Sequence, residues 1–218
     1  MKKIVSLPAS CPLFAGLKEE EIHTLLDRMD AKERACSKEE VLFSAGSTLR
    51  EIGVVLSGRM HILKEDFEGN AVLLAQIPPG GVFGEAFAFS GEALTVTAIA
   101  GEDSRVLLLD CEKALSVCPS DCDGHRHFLS NMLRLFAGKN LFLTGRIEHL
   151  SKRSLREKVL SYLHDCAEKS GGGSFTISLD RQGMADYLAA DRSALSYVLS
   201  GLRREGVIDY RKNRFTLL

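Results

Sequence analysis

The stretch that decides the fold is residues 180–206, with the sequence DRQGMADYLAADRSALSYVLSGLRREG. It contains two short segments with apolar residues at helical spacing, separated by a three-residue break. Asp180 and Asp191 begin the two segments, where a carboxylate can accept hydrogen bonds from the free N–H groups of a helix. Gly206 follows the second segment, where a helix end favours a left-handed residue. This pattern predicts two amphipathic helices packed across a tight turn.

The two predicted helices each have an apolar face, formed by Met184, Ala185 and Leu188 in the first and by Leu195, Val198, Leu199 and Leu202 in the second. The outward face of the second helix carries donors and an aromatic ring: Arg192, Ser193, Ser196 and Tyr197. In a helix-turn-helix, the N-terminal end of the second helix enters the major groove of DNA. The pattern therefore favours a helix-turn-helix over two core helices of an unrelated domain.

Residues 1–120 contain one helical segment, Leu17–Met29, followed by short apolar runs that we predict to be strands. These runs are Val41–Phe43, Ile52–Leu56, Met60–Leu63, Ala71–Ile77, Thr95–Ala100 and Arg105–Leu109. Glycines separate them about every dozen residues, at Gly46, Gly58, Gly69, Gly80 and Gly81. Regular turn signals between short strands are typical of an antiparallel sandwich or barrel.

The net charge of the 218 residues is only −1, but its distribution is uneven. Residues 151–218 hold twelve lysines and arginines against eight acidic residues, whereas the remainder is acidic. This asymmetry suits a sensor domain joined to a DNA-binding domain.

Several function classes do not fit the sequence. No apolar run approaches 18 residues, so we expect no transmembrane helix and no membrane partner. The N-terminal apolar stretch is too short for a signal peptide, and we expect a cytoplasmic protein. We find no nucleophile elbow, no paired catalytic carboxylates and no phosphate-binding glycine loop, and we therefore expect that the chain is not an enzyme.

Three segments of the N-terminal part together carry a family resemblance. Val55–Arg59, Gly69 and Pro79–Glu85 resemble the β-roll of cyclic-nucleotide-binding domains, and the helix-turn-helix follows in the C-terminal part. This order is similar to that of the CRP/FNR family of bacterial transcription regulators, over essentially the whole chain. The resemblance implies an α+β fold: an antiparallel β-roll of the jelly-roll kind, a long central dimerisation helix and a winged helix-turn-helix.

The resemblance also implies an effector pocket in the β-roll. In the cyclic-AMP receptors of this family, a Gly-Glu pair holds the ribose, and an Arg-Ser pair about ten residues later holds the phosphate. This chain keeps Gly84 and Glu85, but residues 90–97 contain no arginine and offer only the hydroxyls of Thr95 and Thr97. Because a buried phosphate needs a charged partner, we expect that cyclic AMP does not bind. An alternative interpretation is that Gly84 and Glu85 are purely structural, a turn and the carboxylate that stabilises it.

A heptad-like stripe connects the two parts of the chain: Leu129, Leu133, Phe136, Asn140, Leu143, Ile147 and Leu150. Steps of three and four residues are typical of a helix that pairs along a narrow seam, although a single core helix can show them too. Asn140 favours the seam, because it can pair with its own copy across a two-fold axis. The resemblance implies that this helix forms a homodimer and borders the effector pocket, which adds Asn140 to the candidate effector residues.

The C-terminal part completes a winged helix. Leu155, Val159, Leu160 and Leu163 predict a helix to about Lys169, residues 175–179 a strand, and residues 207–217 a hairpin turning at Lys212-Asn213. The wing carries Arg211, Lys212 and Arg214, which can meet phosphates. We therefore predict three regions: a sensor domain at 1–120, a dimerisation helix at 121–150 and a DNA-binding domain at 151–218.

The predicted DNA contacts are Gln182, Arg192, Ser193, Ser196, Tyr197 and Lys212. Gln182 matches a family position that touches the DNA backbone. Well-known members place Arg-Glu at the first two contact positions and a further arginine four residues after the glutamate. This chain has Arg192, Ser193 and Tyr197 there, so its operator should differ. The implied partners are a palindromic double-stranded DNA, RNA polymerase and a small-molecule effector that the sequence does not identify.

Six cysteines leave a second hypothesis open: a redox- or metal-responsive regulator of the same fold. Cys11 and Cys36 stand alone, so the N-terminal cysteine cluster of the oxygen-sensing members is absent. The segment Cys118-Pro-Ser-Asp-Cys122-Asp-Gly-His125-Arg-His127 has metal-capable ligands, but its spacing fits no standard zinc or cluster motif. We therefore expect no metal or other cofactor.

Overall fold

The computed structural model describes residues 7–66, 68–116 and 123–218. The chain divides into two compact units, residues 1–136 and 137–218. Cys118 and Cys122 of the candidate metal-binding segment lie outside the described residues. Within the described part of the chain, no helix is both long and apolar enough to span a membrane.

The first unit contains a 3-10 turn at Pro12–Phe14 and a series of strands and helices. Its strands are β1 Lys32–Cys36, β2 Val41–Phe43, β3 Glu51–Ser57, β4 Met60–Glu65, β5 Ala71–Ile77, β6 Val82–Phe83, β7 Thr97–Ala100 and β8 Ser104–Asp110. Its helices are α1 Glu19–Arg28, α2 Glu85–Ser90, α3 Cys111–Leu115 and the first half of α4 Asp123–Leu150.

The strands form two four-stranded antiparallel sheets, with the orders β1-β8-β3-β6 and β2-β7-β4-β5. Alternate residues of β8 face opposite sides: Val106 and Leu108 belong to the core between the sheets, whereas Leu107 and Leu109 belong to the core that includes α1 and α4. Burial on both sides explains why this strand is a continuous apolar run in the sequence. The predicted antiparallel β-roll is thereby confirmed.

The turns of the roll require glycine at particular positions. Gly58, between β3 and β4, has a φ of +76°, and a Cβ there would collide with Ser104. Gly84, at the start of α2, has a φ of +81°, and a Cβ would stand 2.8 Å from Leu49 Cδ2. Left-handed backbone with so little space admits only glycine at low cost. Gly81, by contrast, does not have a positive φ, but a Cβ there would stand 2.5 Å from Ile77 Cγ2.

The structure corrects several predicted boundaries. Strand β7 begins at Thr97 rather than Thr95, because Ala93 pairs with Thr48 and Leu94 bonds to the loop at residues 46–47. Strand β1 has the sequence KERAC and four exposed residues, so it lacks the apolar signal used to find strands. The short elements β6, α2 and α3 were also missed, because two to six residues are too few for a periodicity to emerge.

Helix α4 spans 28 residues and ends at Leu150. In the first unit, Phe128 and Met132 are buried in the core, and Leu129 and Phe136 pack partly against it. Phe136 also meets Phe89 edge-on, with ring centroids 5.6 Å apart. The predicted long central helix is therefore present, and two members of its predicted seam also serve the core of the first unit.

The second unit contains the end of α4, then α5 Leu155–Lys169, β9 Ser174–Thr176, α6 Arg181–Tyr187, α7 Arg192–Arg204, β10 Ile208–Arg211 and β11 Arg214–Leu217. The strands form an antiparallel sheet of order β10-β11-β9. Strand β9 is shorter than the predicted 175–179 and begins one residue earlier. Ser154 and Glu157 form a capping box that starts α5.

Candidate DNA-binding and effector sites

Helices α6 and α7 begin where their capping aspartates predict. Asp180 accepts a hydrogen bond from the Gly183 amide at 2.7 Å. Asp191 accepts from the amides of Ser193 at 2.7 Å and Ala194 at 3.1 Å, and also from the Ser193 hydroxyl. These bonds, the Ser193 hydroxyl first, hold the pKa of Asp191 below its ordinary value of 3.8. The start of α7 is thereby firmly set.

The two helices pack through the predicted apolar faces. Met184, Ala185 and Leu188 are buried, as are Leu195, Leu199 and Leu202. Between the helices, Ala189 has a φ of +49°, a left-handed conformation that costs a non-glycine residue energy. The packing of the two helices and their caps therefore stabilise the tight turn, because the conformational preference of Ala189 does not favour it.

The predicted candidates on the outward face of α7 differ in whether their polar groups are already hydrogen-bonded. Arg192 and Tyr197 are exposed, and Tyr197 keeps 74% of its surface accessible. Ser193 donates its hydroxyl hydrogen to Asp191, and Ser196 donates its own to the Arg192 carbonyl at 2.9 Å. The two serine hydroxyl hydrogens are thus engaged inside the helix, whereas the two longer side chains project from it.

The wing places cations at the tip and along both strands. Lys212 is exposed in the β10–β11 turn with a φ of +55°, and Arg211 and Arg214 flank the turn. Two guanidinium groups lie close to the Tyr210 ring on β10, that of Arg181 at 5.3 Å and that of Arg203 at 5.4 Å from its centroid. Arg203 also pairs with Asp209 at 2.9 Å. Arg181 and Arg203 are not among the site residues predicted from the sequence. Their contacts with Tyr210 join different elements of the fold, which the spacing of residues along a helix or strand does not reveal.

Gln182 is exposed in the first turn of α6, where its amide donates to Asp186 Oδ1 at 2.8 Å. The N-terminal turn of a helix leaves backbone N–H groups free, and it attracts anions such as phosphate. The exposed residues of the second unit therefore place cations and hydrogen-bond donors on α6, on α7 and on the wing.

Helix α4 leaves much of its predicted seam exposed. Leu133, Leu143 and Ile147 retain 70%, 54% and 68% of their surface, and Asn140 is exposed. Leu141 and Phe142 are exposed as well, at 72% and 57%, although they lie outside the predicted stripe. So many exposed apolar side chains on one helix are typical of an interaction surface.

The last turns of α4 hold the first helix of the helix-turn-helix. Arg146 donates to the backbone carbonyls of Tyr187 and Asp186, both at 3.0 Å, and its guanidinium lies over the Tyr187 ring. His149 is buried, with Nδ1 at 3.0 Å from Ser161 Oγ, and its ring packs on Tyr162 and Tyr187. A cation at the final carbonyls of α6 satisfies acceptors that the helix itself leaves open.

The candidate effector residues fall on separate elements. Glu85 is buried as the first residue of α2, and Gly84 is required by the backbone there. Thr97 lies on β7 and accepts a hydrogen bond from the Ala45 amide at 3.2 Å, whereas Thr95 is exposed in the preceding loop. Asn140 belongs to the second unit. The Thr97 hydroxyl thus already serves the fold.

Four cysteines lie within the described residues, and all are reduced. Cys11, Cys36 and Cys111 are buried, and Cys166 is partly buried. Burial raises the pKa of each thiol, for Cys111 to about 12. Thiols held in the protonated form react slowly with oxidants and bind metals weakly. Within the described ranges, no group of three or more potential ligands could hold a metal ion.

Two families of known domains match this chain. The cyclic nucleotide-binding domain matches residues 33–121, and the Crp-like helix-turn-helix domain matches residues 157–218. The two matches cover the β-roll and the winged helix described above. They therefore agree with the fold at both ends of the chain.

Several known proteins are similar in sequence, among them the Transcriptional regulator LdrP of Thermus thermophilus, 25% identical over 193 residues that cover 84% of this chain and 90% of that protein. The Anaerobic regulatory protein of Bacillus subtilis is 28% identical over 203 residues, which cover 90% of this chain and 83% of that protein. The Cyclic AMP receptor protein of Thermus thermophilus is 26% identical over 198 residues, which cover 90% and 88%.

A solved structure with the same fold is that of a CooA variant from Carboxydothermus hydrogenoformans. Its TM-score is 0.61 at 17% identity, and the match covers 98% of this chain and 94% of that one. The fold, the two domain matches and the similar regulators agree with one another. The chain belongs to the CRP/FNR family of bacterial transcription regulators.

Proposed function

We propose that this chain is a homodimeric transcription regulator that reads a palindromic operator with α7 and responds to an effector other than cyclic AMP. The observation that carries the proposal is the geometry of α7. Its start is held by Asp191, its apolar residues are buried, and Arg192 and Tyr197 project from its first two turns. A rigid helix with exposed polar residues at its N-terminal end suits the major groove.

The proposed DNA contacts divide by role. Arg192 and Tyr197 are long and exposed, and they are assigned to base edges, with Ser193 and Ser196 beside them. Gln182 in the first turn of α6 and Lys212 at the wing tip are assigned to phosphates. Phosphate contacts supply affinity and register, whereas base contacts supply specificity.

The homodimer rests on the exposed face of α4. Leu133, Leu143 and Ile147 form the exposed part of the stripe, and a second copy of this helix would cover them. Leu129 and Phe136 lie on the same stripe, and Asn140 would pair with its own copy in the middle. Two helices paired in this way would carry two recognition helices, which suits a two-fold symmetric operator.

We assign one function to each region of this dimer. Residues 1–120 would sense the effector, residues 121–150 would pair the two copies, and residues 151–218 would bind DNA. The proposed effector residues of the first unit are Gly84, Glu85, Thr95 and Thr97. Without an arginine in residues 90–97, the cyclic phosphate would have no cationic partner there. Titration calorimetry should therefore show no binding of cyclic AMP at physiological concentration, and micromolar affinity would contradict this part of the proposal.

A DNA footprint tests the proposal as a whole. The purified chain should protect a symmetric site in the DNA upstream of its own gene, because regulators of this kind are expected to bind near promoters and to contact RNA polymerase. Protection should depend on Arg192. Uniform binding to all DNA, with no protected site at any salt concentration, would contradict it.

A further inference from the structure

The face of α7 contains four candidate contacts, and the structure distinguishes among them. The hydroxyl hydrogens of Ser193 and Ser196 are donated inside the protein, to Asp191 and to the Arg192 carbonyl. As donors to a base, these two serines would have to give up existing bonds. Arg192 and Tyr197 are therefore the two long side chains that can read bases without such a loss.

Tyr197 differs from the other large apolar residues of this helix. Leu195, Leu199 and Leu202 are completely buried, and Val198 is partly buried, whereas 74% of the Tyr197 surface is accessible. The ring lies five residues after Arg192 and four after Ser193, on the outward side of the helix. Apart from the small side chain of Ala194, which is also exposed, the exposed residues at the start of α7 are polar. The Tyr197 ring therefore offers the largest apolar contact to whatever covers this face.

In the major groove, thymine alone among the bases presents an apolar group, its 5-methyl. An arginine or glutamate at this position would instead select a base through hydrogen bonds. We propose that Tyr197 is a specificity-determining residue that selects thymine through contact between its ring and the 5-methyl group. This inference rests on the proposed DNA binding by α7, and it names the chemical feature that one position of each half-site must have.

The test begins by selecting the operator from a random duplex pool with the full-length protein. Each thymine of the selected half-site is then replaced in turn by deoxyuridine, which removes only the methyl group. At one position, the wild-type protein should lose about fourfold in affinity per half-site, the amount expected for one buried methyl. Tyr197→Phe should show the same loss, because it keeps the ring. Tyr197→Ala should bind thymine and uracil alike at that position.

Two controls separate this role from a structural one. Ser200→Ala, at an exposed position of the same helix that is not among the proposed contacts, should keep the full dependence on the methyl group. Tyr197→Ala should leave the salt dependence of binding unchanged, because no charge is removed. Thermal unfolding of each variant shows whether the fold is retained, and an exposed side chain such as Tyr197 should matter little to it.

Three results would overturn the inference. The first is a selected half-site in which no uracil substitution weakens binding. The second is a methyl dependence that persists in Tyr197→Ala. The third is a Tyr197→Phe variant that loses as much affinity as Tyr197→Ala, since the hydroxyl would then carry the contact. A pool that yields no enriched sequence at all would instead contradict the proposed function itself, and this inference with it.

Discussion

At the scale of single residues, the aspartate caps of α6 and α7 do much to place the proposed DNA-binding face. Because hydrogen bonds from Ser193 and Ala194 lower the pKa of Asp191, its ionised form stabilises the native state. That contribution is complete above the ordinary pKa of 3.8 and is lost as the pH falls through the lower native value. The stability advantage of the wild type over Asp191→Asn should therefore shrink below pH 4, as measured by chemical unfolding at several pH values. A constant difference would contradict this.

Ala189 sits in the turn with a φ of +49°, where glycine is better suited than alanine. Ala189→Gly should therefore raise the free energy of unfolding by up to about 1 kcal/mol. The neighbouring Ala190 does not have a positive φ, and Ala190→Gly should lower stability instead. Urea unfolding of both variants compares the two effects directly, and destabilisation by both would count against strain at Ala189.

Arg192 and Lys212 have different proposed roles on DNA. Arg192→Ala should cost about 1–3 kcal/mol in specific binding and relax the base preference at one position per half-site. Lys212→Ala should weaken binding to all sequences alike and make the salt dependence shallower by about one unit of slope. Specific and non-specific affinities at two salt concentrations measure both. A folded Arg192→Ala variant with unchanged specific binding would show that the recognition helix is wrongly placed.

At the scale of elements, the end of α4 is joined to α6 by Arg146. Its two bonds to backbone carbonyls and its contact with Tyr187 would all be lost in Arg146→Ala. We expect a loss of about 1.5–3 kcal/mol in the stability of the second unit, because these bonds involve a charged donor. The matched control is Arg156→Ala, which breaks an exposed pair with Glu205 and should cost less than about 1 kcal/mol.

Hydrogen exchange shows where the Arg146 variant loosens. Exchange should speed up first in α6 and in the turn around Ala189, while α5 should change less. Equal effects of the Arg146 and Arg156 substitutions would show that the contacts with α6 contribute no more than an ordinary surface pair.

Elements with a strong periodic or capping signal were predictable from the sequence, and others were not. Helices α5 and α7 match their predicted starts because Ser154, Asp191 and their apolar faces act locally. Strand β1 was not predictable, since its four exposed residues are held by pairing with β8, far away in the sequence. Tertiary contacts of this kind also explain why the link from Arg146 to α6 was missed.

The site residues likewise divide into those that the sequence predicts and those that depend on tertiary contacts. The outward position of Arg192 and Tyr197 follows from helical spacing, which the sequence contains. The engagement of the Ser193 and Ser196 hydroxyls depends on rotamers, and the roles of Arg181 and Arg203 depend on Tyr210 in a distant strand. Spacing alone therefore predicts which residues face outward, but not which of them remain available to bind.

At the scale of the whole molecule, reading a two-fold symmetric operator requires a dimer through α4. Ile147→Glu should yield a folded monomer, because a carboxylate on the seam would have to be buried against its own copy. Leu141 provides a matched control: it is as exposed as Ile147, at 72% against 68%, but lies outside the stripe. Leu141→Glu should stay dimeric. Light scattering on both variants measures this, and a wild type that is monomeric at micromolar concentration would contradict the dimer.

In the proposed dimer, two copies of α7 read two halves of one site, and operator selection from a random pool shows whether they do. We expect enrichment of an inverted repeat whose half-site centres lie about 10 base pairs apart, one turn of DNA, or a multiple of that spacing. Loss of enrichment with Arg192→Ala should accompany it. Recovery of single asymmetric sites, or of no sequence above the starting pool, would contradict the account.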